Sequence, residues 1–223
     1  MRAPLVGELR EHGFDPEVLV EGLDCSVGTL QVNRQTIGWD AFTVILERSA
    51  RLLGGGEALE DLAFRNTERQ LPRMIRSLLP GLRGAKPLFL MGARWLGPWM
   101  FRATRATCEE LADGRLREVI EILPPHRGSP EFFWLTRGIM RAGPRLLGLP
   151  EAVVESRISE RTAEYVITLP PRPRRRLFGR ARRPERMSEE RAELGFQQEQ
   201  LRESLRRVAP LYLHPTLRSR SSP

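Results

Sequence analysis

Lysine is almost missing from this sequence: of its 36 basic residues, Lys86 is the only one that is not arginine. Chemistry that needs a lysine amine therefore has a single candidate. Cysteine is nearly as scarce. Cys25 and Cys108 are too few and too far apart for a disulfide framework or a CxxC zinc site, and two reduced thiols in a cytoplasmic protein are the expectation. The three histidines, His12, His126 and His214, form no HExxH and have no second histidine at helical spacing, so no metal site is expected. Long hydrophobic runs are missing too. Pro87 to Phe101 amounts to roughly 22 Å of helix against the roughly 30 Å of a bilayer core. Gly92, Arg94, Gly97 and Pro98 interrupt it, and it reads as buried or interfacial, not spanning. The opening MRAPLVGELREHG has no apolar h-region, so no secretory signal is expected.

Catalytic motifs are equally absent. Gly54-Gly55-Gly56 lacks the GK[ST] of a phosphate loop, no GxSxG elbow occurs, and neither cysteine has a protease-like context. The acidic pairs Glu109-Glu110 and Glu60-Asp61 are adjacent, so their side chains point apart and read as solvated charges. The chain is not expected to be an enzyme.

What is present is a chain of 223 residues with 40% hydrophobic and 29% charged residues, enough for one packed domain and an appendage. The net charge of +8 is unevenly placed. Residues 1–170 hold 22 basic and 22 acidic residues, whereas 171–223 hold 14 arginines and six glutamates, a difference of 8 that accounts for the whole excess. The basic balance therefore says nothing about the partners of the body.

Along the body the period of apolar residues changes once. Asp15-Pro16 opens a helical turn through Glu17, Val18, Leu19 and Leu23. Phe42, Ile45, Leu46, Ser49, Leu52 and Leu53 recur at three and four, one face of a helix over Trp39–Leu53 that the three glycines stop. Helices at Glu57–Gln70 and Pro72–Leu79 follow. After Phe101 the period falls to two. Leu116, Ile120 and Ile122 share one strand face and Arg117, Val119 and Glu121 the other. Asp113-Gly114 suits a type I′ turn, which predicts a hairpin of about 104–111 with 115–123. Ser129-Pro130-Glu131 starts a helix with Phe132, Leu135, Ile139 and Leu146 on its apolar face and Gly148 at its end. A second hairpin, Ala152–Ile158 with Thr162–Leu169, completes the order. The expected class is α+β: an N-terminal helical layer on a four-stranded antiparallel sheet of order ββαββ, then a C-terminal helix.

This divides the chain into a sensory domain at 1–170, an Arg/Pro-rich linker at 171–186, a signalling or coiled-coil-like helix at 187–209 and a disordered tail at 210–223. The linker PPRPRRRLFGRARRPER cannot bury a core. Its arginines Arg172, Arg174, Arg175, Arg176, Arg180, Arg182 and Arg183 are candidate anion or lipid contacts, beside the plain reading as a solvated linker. No pattern for base readout accompanies them, so no sequence-specific nucleic acid is expected. In the helix, Met187, Leu194, Leu201 and Val208 are seven apart, but Arg191, Gln198 and Leu205 fill the alternate seam, a weak coiled-coil signal. The aromatic residues Trp95, Trp99, Phe101, Phe132, Phe133 and Trp134 fall in two segments that could face each other across the sheet. They read as core, or as the lining of an apolar ligand pocket between helices and sheet.

Two stretches also resemble a known family. GFDPEVLVEGLDCSVGTLQVNRQTIGWDAFTVILERSARLLGG and ELADGRLREVIEILPPHRGSPEFFWLTRGIMRAGPRLLGLPEAVVESRISERTAEYVITLPP are similar to the two halves of an N-terminal sensory module of bacterial signalling histidine kinases, over about 15 to 171. Such modules are distantly similar to haem nitric-oxide-binding and 4-vinyl-reductase-like sensor domains, with helices against an antiparallel sheet around a pocket. The opening is also similar to the ligand-binding domain of arabinose-regulator-type transcription factors. The resemblance implies a sensor that binds a small apolar ligand or partner protein and transmits through a helix, with a histidine kinase or response regulator as partner and a homodimer through 187–209. The haem family's Y-x-S-x-R is absent and no proximal histidine can be assigned, so no cofactor is expected and haem is disfavoured. The kinase's phosphoacceptor and ATP boxes are absent as well. The rival readings are a peripheral membrane or acidic-partner binder using the arginine run, and a truncated remnant of a sensor histidine kinase.

Overall fold

The computed structural model describes residues 2–31, 37–70, 79, 82 and 84–171. The linker, the expected signalling helix and the tail lie outside these residues, and so does the expected helix Pro72–Leu79 apart from Leu79.

Burial of short apolar stripes builds the helical layer. Helix α1 (Arg2–Glu11), which the sequence reading did not foresee, buries Leu5, Val6 and Leu9. A 3-10 turn at Pro16–Leu19 follows, its N-terminus capped by the Asp15 carboxylate, which accepts the Glu17 N–H. It ends before Leu23, and Val18 faces solvent. Helix α2 (Val27–Gln31) is also additional to the prediction. Helix α3 (Trp39–Leu53) has the predicted bounds and stops at Gly54, whose φ of 102° lies in the left-handed region that glycine adopts without a Cβ penalty. Helix α4 (Gly56–Gln70) starts two residues later.

Helices α3 and α4 serve two cores. Ile45 and Leu62 pack with α1, α2 and the 3-10 turn, while their neighbours Leu46 and Ala63 join the cluster beneath the sheet. Alternate sides of one amphipathic helix thus tie the N-terminal helices to the sheet.

The apolar run is helical: α5 (Ala85–Met91), a π-helical turn at Gly92–Leu96 and α6 (Gly97–Met100). Leu88, Phe89 and Ala93 are buried. No helix among the described residues is long and apolar enough to cross a membrane. The sheet has strands β1 (Thr104–Glu110), β2 (Leu116–Ile122), β3 (Val153–Ile158) and β4 (Thr162–Thr168), all antiparallel in the order β1-β2-β4-β3. Helix α7 (Pro130–Ala142) connects the hairpins. The predicted α+β architecture and the ββαββ order are therefore what the chain adopts.

Two local expectations need correction. The first hairpin is not closed by a type I′ turn, because Asp113 does not adopt positive φ and only Gly114 does, at 83°. Gly114 N–H donates to the Leu111 carbonyl and Leu111 N–H to that of Arg115, so the loop is three residues long with glycine at its left-handed position. Helix α7 starts as predicted, with Ser129 Oγ accepting the Phe132 N–H at 3.2 Å. Its α-helical part ends at Ala142, and Gly148 instead terminates a 3-10 stretch, Gly143–Leu147.

Glu60 was expected to be solvated; it is 4% exposed. It sits where α4 meets α7, and Arg137 and Arg141 of α7 close on its two oxygens at 3.1 and 2.8 Å. Without that pairing an ionised carboxylate at such depth would carry a large desolvation cost.

Candidate functional site

The aromatic candidates separate into three groups. Phe101 and Phe132 do meet, edge to face with centroids 5.0 Å apart. Phe133 adjoins Phe132 at 5.6 Å and is fully buried. Two α3 residues join them: Trp39 lies 5.2 Å from Phe132, and Phe42 stacks on Phe101 at 6.0 Å. Trp39 Nε1 donates to the Arg127 carbonyl at 2.8 Å, so its ring is fixed at both ends. Trp134 does not join this group. It covers Gly56 of α4, where a Cβ would lie 2.3 Å from the indole, and the Arg137 guanidinium lies 5.4 Å from its ring centroid. Because Trp134 follows Phe133 directly, it leaves the helix in a different direction. Trp95 lies in the π turn and Trp99 in α6, and their side chains are outside the described set, as are Arg172, Arg174, Arg175, Arg176, Arg180, Arg182 and Arg183.

A second group was not foreseen. The register pairs Cys108 with Glu118, Glu118 with Tyr165, and Tyr165 with Ser156. These four therefore form one transverse row across all four strands, and cross-strand partners share a face. Glu118 and Tyr165 are 5% and 0% exposed, while Cys108 and Ser156 are half-buried at the two edge strands. Tyr165 Oη donates to the Phe133 carbonyl at 2.8 Å, linking the row to α7 and the aromatic group. Burial sets the protonation of the row. Desolvation pushes the Glu118 carboxyl up to about 8 from an ordinary 4.5. Desolvation, then the charges of Glu118 and Glu109, push the Cys108 thiol up to about 12. Desolvation also raises the Tyr165 phenol. Sequence reasoning named Leu116, Ile120 and Ile122 as the inward face of β2 and passed over Glu118 between them. The alternation itself was the signal, since a residue two from Leu116 and two from Ile120 must point inward.

Neither described histidine belongs to this row. His12, exposed on the turn after α1, lies with Nδ1 2.9 Å from the Glu8 carbonyl, and His126 is half-buried in the loop after β2, 6.2 Å from the Trp39 ring. Among the described residues no three His, Cys, Asp or Glu side chains converge as a metal-ligand set.

No family model matches the sequence, and no curated protein matches it. Solved structures do match in fold. An Fe(II) unliganded H-NOX protein mutant from K. algicida aligns at a TM-score of 0.52 and 12% identity, over 77% of this chain and 97% of that one. A protein from a study of heme distortion in the H-NOX family aligns at 0.50 and 12% identity, over 82% of this chain and all of that one. The chain therefore has an H-NOX-like fold, that of haem nitric-oxide-binding sensor domains. These neighbours overturn the expectation that no cofactor is involved and that haem is disfavoured, since they are described by their heme and their Fe(II). Between the helical layer and the sheet lies an apolar cluster that includes Phe89, Phe132, Phe133 and Leu135. Among the described side chains in or against that cluster, Cys108, Tyr165 and Met140 carry a donor atom for iron, and Glu118 adjoins Cys108 and Tyr165 in the sheet.

Proposed function

We propose that this chain is a non-catalytic sensor domain that holds a small ligand or cofactor between its helical layer and its sheet. The observation that carries the reading is the H-NOX-like fold, with a helical layer against one face of a four-stranded sheet. Haem, the group for which one of its structural neighbours is described, is the first cofactor to test. The chain's own part in this reading is to exclude water with Phe89, Phe132 and Phe133 and to present the Cys108–Glu118–Tyr165 row. A signal would leave through the residues after Pro171, toward a histidine kinase or response regulator or within a homodimer through 187–209. The concentration of arginine after residue 171 supports a second reading, electrostatic attachment to an acidic partner or an anionic membrane surface.

The deciding experiment adds hemin to the purified full chain and follows absorbance near the Soret band. Saturable one-to-one uptake that survives gel filtration is the expected result. Uptake no greater than that of an unrelated protein of equal size overturns haem as the cofactor. Sedimentation with anionic vesicles tests the second reading, and equal binding by a chain ending at Pro171 removes the arginine run from it.

A further inference from the structure

Glu118 is the most isolated polar group among the described residues. The rows that flank it on the same sheet face are largely apolar: Ala106, Ile120, Ala163 and Ile158 on one side, and Leu116, Ile167 and Val154 on the other, where the end of β1 contributes Glu110, paired with Lys86. The Glu118 carboxyl has neither a hydrogen bond nor an ion pair to any described residue, in contrast to Glu60, the other deeply buried carboxylate, which holds two arginines. Native structures rarely leave a buried carboxyl unsatisfied, and one that persists calls for a partner.

The surroundings say which kind. Cys108 and Tyr165, beside it in the row, are kept neutral by burial. Arg137, the cation that acts on Tyr165, is already held by Glu60 and by the Val154 carbonyl at 3.2 Å. No counter-charge is therefore supplied by the described residues. The helical segment over β1 also has an irregular turn in the relevant place. Lys86 at its start pairs with Glu110, and Thr104 Oγ1 donates to the Phe101 carbonyl at its end. The segment thus runs antiparallel to β1, and its π turn at Gly92–Leu96 packs against that strand, whose Ala106 and Cys108 point inward. Single π turns inside helices recur at functional sites.

We propose that Glu118 anchors a ligand site between the π turn and the sheet, and that its ligand is an organic cation, an apolar body carrying one protonated amine. An ammonium would supply the counter-charge that Glu118 needs once its proton leaves and would donate charge-assisted hydrogen bonds to the carboxylate, beside the alanine-containing row. An anionic ligand would bring an uncompensated negative charge into the same apolar space and hold Glu118 protonated. The proposal rests on the reading that the interlayer space takes a ligand, and adds the group that recognises it.

The test uses the full chain and its Glu118→Gln and Glu121→Gln variants, the latter on the opposite face of β2. Phenethylamine, n-hexylamine and the neutral 2-phenylethanol are titrated by calorimetry at pH 7 in two buffers of different ionisation heat. At least one amine is expected to bind the parent and Glu121→Gln alike, with proton release, and at least tenfold more weakly to Glu118→Gln. Absence of amine binding, or equal binding by Glu118→Gln, overturns the proposal, and so does 2-phenylethanol binding as tightly as the amines. Hemin uptake on the same preparations separates the outcomes: uptake without amine recognition sinks this inference alone, and failure of every compound sinks the ligand-binding reading with it.

Discussion

A Cβ atom on Gly138 of α7 would lie 2.1 Å from the backbone oxygen of Glu60 on α4. The two helices are in direct backbone contact there, and the Glu60 side chain turns back from the same point to Arg137 and Arg141. Gly138→Ala therefore forces the helices apart against a backbone atom that has no rotamer to yield. A loss of about 1–3 kcal/mol is expected from overpacking of this kind, read as a lower urea midpoint. Gly7→Ala in α1 is the matched control. Nothing lies within 4 Å of the Cβ it would add, so it should stabilise by roughly 0.5–1 kcal/mol through helix propensity. Equal effects of the two substitutions would contradict the close approach.

The same contact defines a second prediction. Glu60→Gln keeps the volume and removes the charge that Arg137 and Arg141 share. Both guanidiniums remain about a quarter exposed, so water recovers part of the loss, and about 1–3 kcal/mol is expected, below the full effect of breaking a wholly buried pair. The analogous Glu109→Gln, at an exposed ion pair with Arg117, should cost under about 1 kcal/mol. Chemical denaturation of both variants at one salt concentration makes the comparison.

Glu118 gives the stability a pH dependence of known sign. The unfolded chain releases this proton near 4.5, whereas the folded chain keeps it to about 8. Between those values the unfolded state binds fewer protons, so stability falls as pH rises, by up to roughly 1.4 kcal/mol per pH unit. Glu118→Gln should be indistinguishable from the parent below pH 4.5 and progressively more stable above it, until the difference levels off beyond about pH 8. Urea midpoints from pH 4 to 9 measure this, and parallel curves for the two proteins would show that Glu118 is not desolvated in solution.

What could be read from the sequence follows from what periodicity reports. Trp39–Leu53 and the two hairpins carry one period over enough residues to reveal their elements, and Ser129 marks the start of α7 because its cap is local. Helix α1 escaped notice because only Leu5, Val6 and Leu9 carry its buried stripe. The turn after β1 escaped because the Asp-Gly pair also suits a three-residue loop, and the choice depends on strand register. For the site, Phe101, Phe132 and Phe133 were visible as aromatics, while Trp39 and Phe42 join them only through tertiary packing of α3. Glu118 was hidden by its own chemistry: a carboxylate between apolar residues is read as polar before it is read as inward.

Cys108 supplies the last prediction, and it reports on the same row from the neighbouring strand. With its thiol pushed up to about 12, on the order of one molecule in 10³–10⁴ is thiolate at pH 8.5, and the thiolate is the reacting species. Iodoacetamide should therefore modify Cys108 orders of magnitude more slowly than a small-molecule thiol of ordinary acidity, until denaturant is added. Glu118→Gln removes the second-ranked cause of the shift and leaves the first, desolvation. A severalfold acceleration is expected rather than release to the denatured rate. Peptide mass spectrometry against time follows Cys108 separately from Cys25. Native-state modification of Cys108 at the denatured rate would mean that the sheet face is open to water, and would remove the physical basis for a perturbed Glu118 as well.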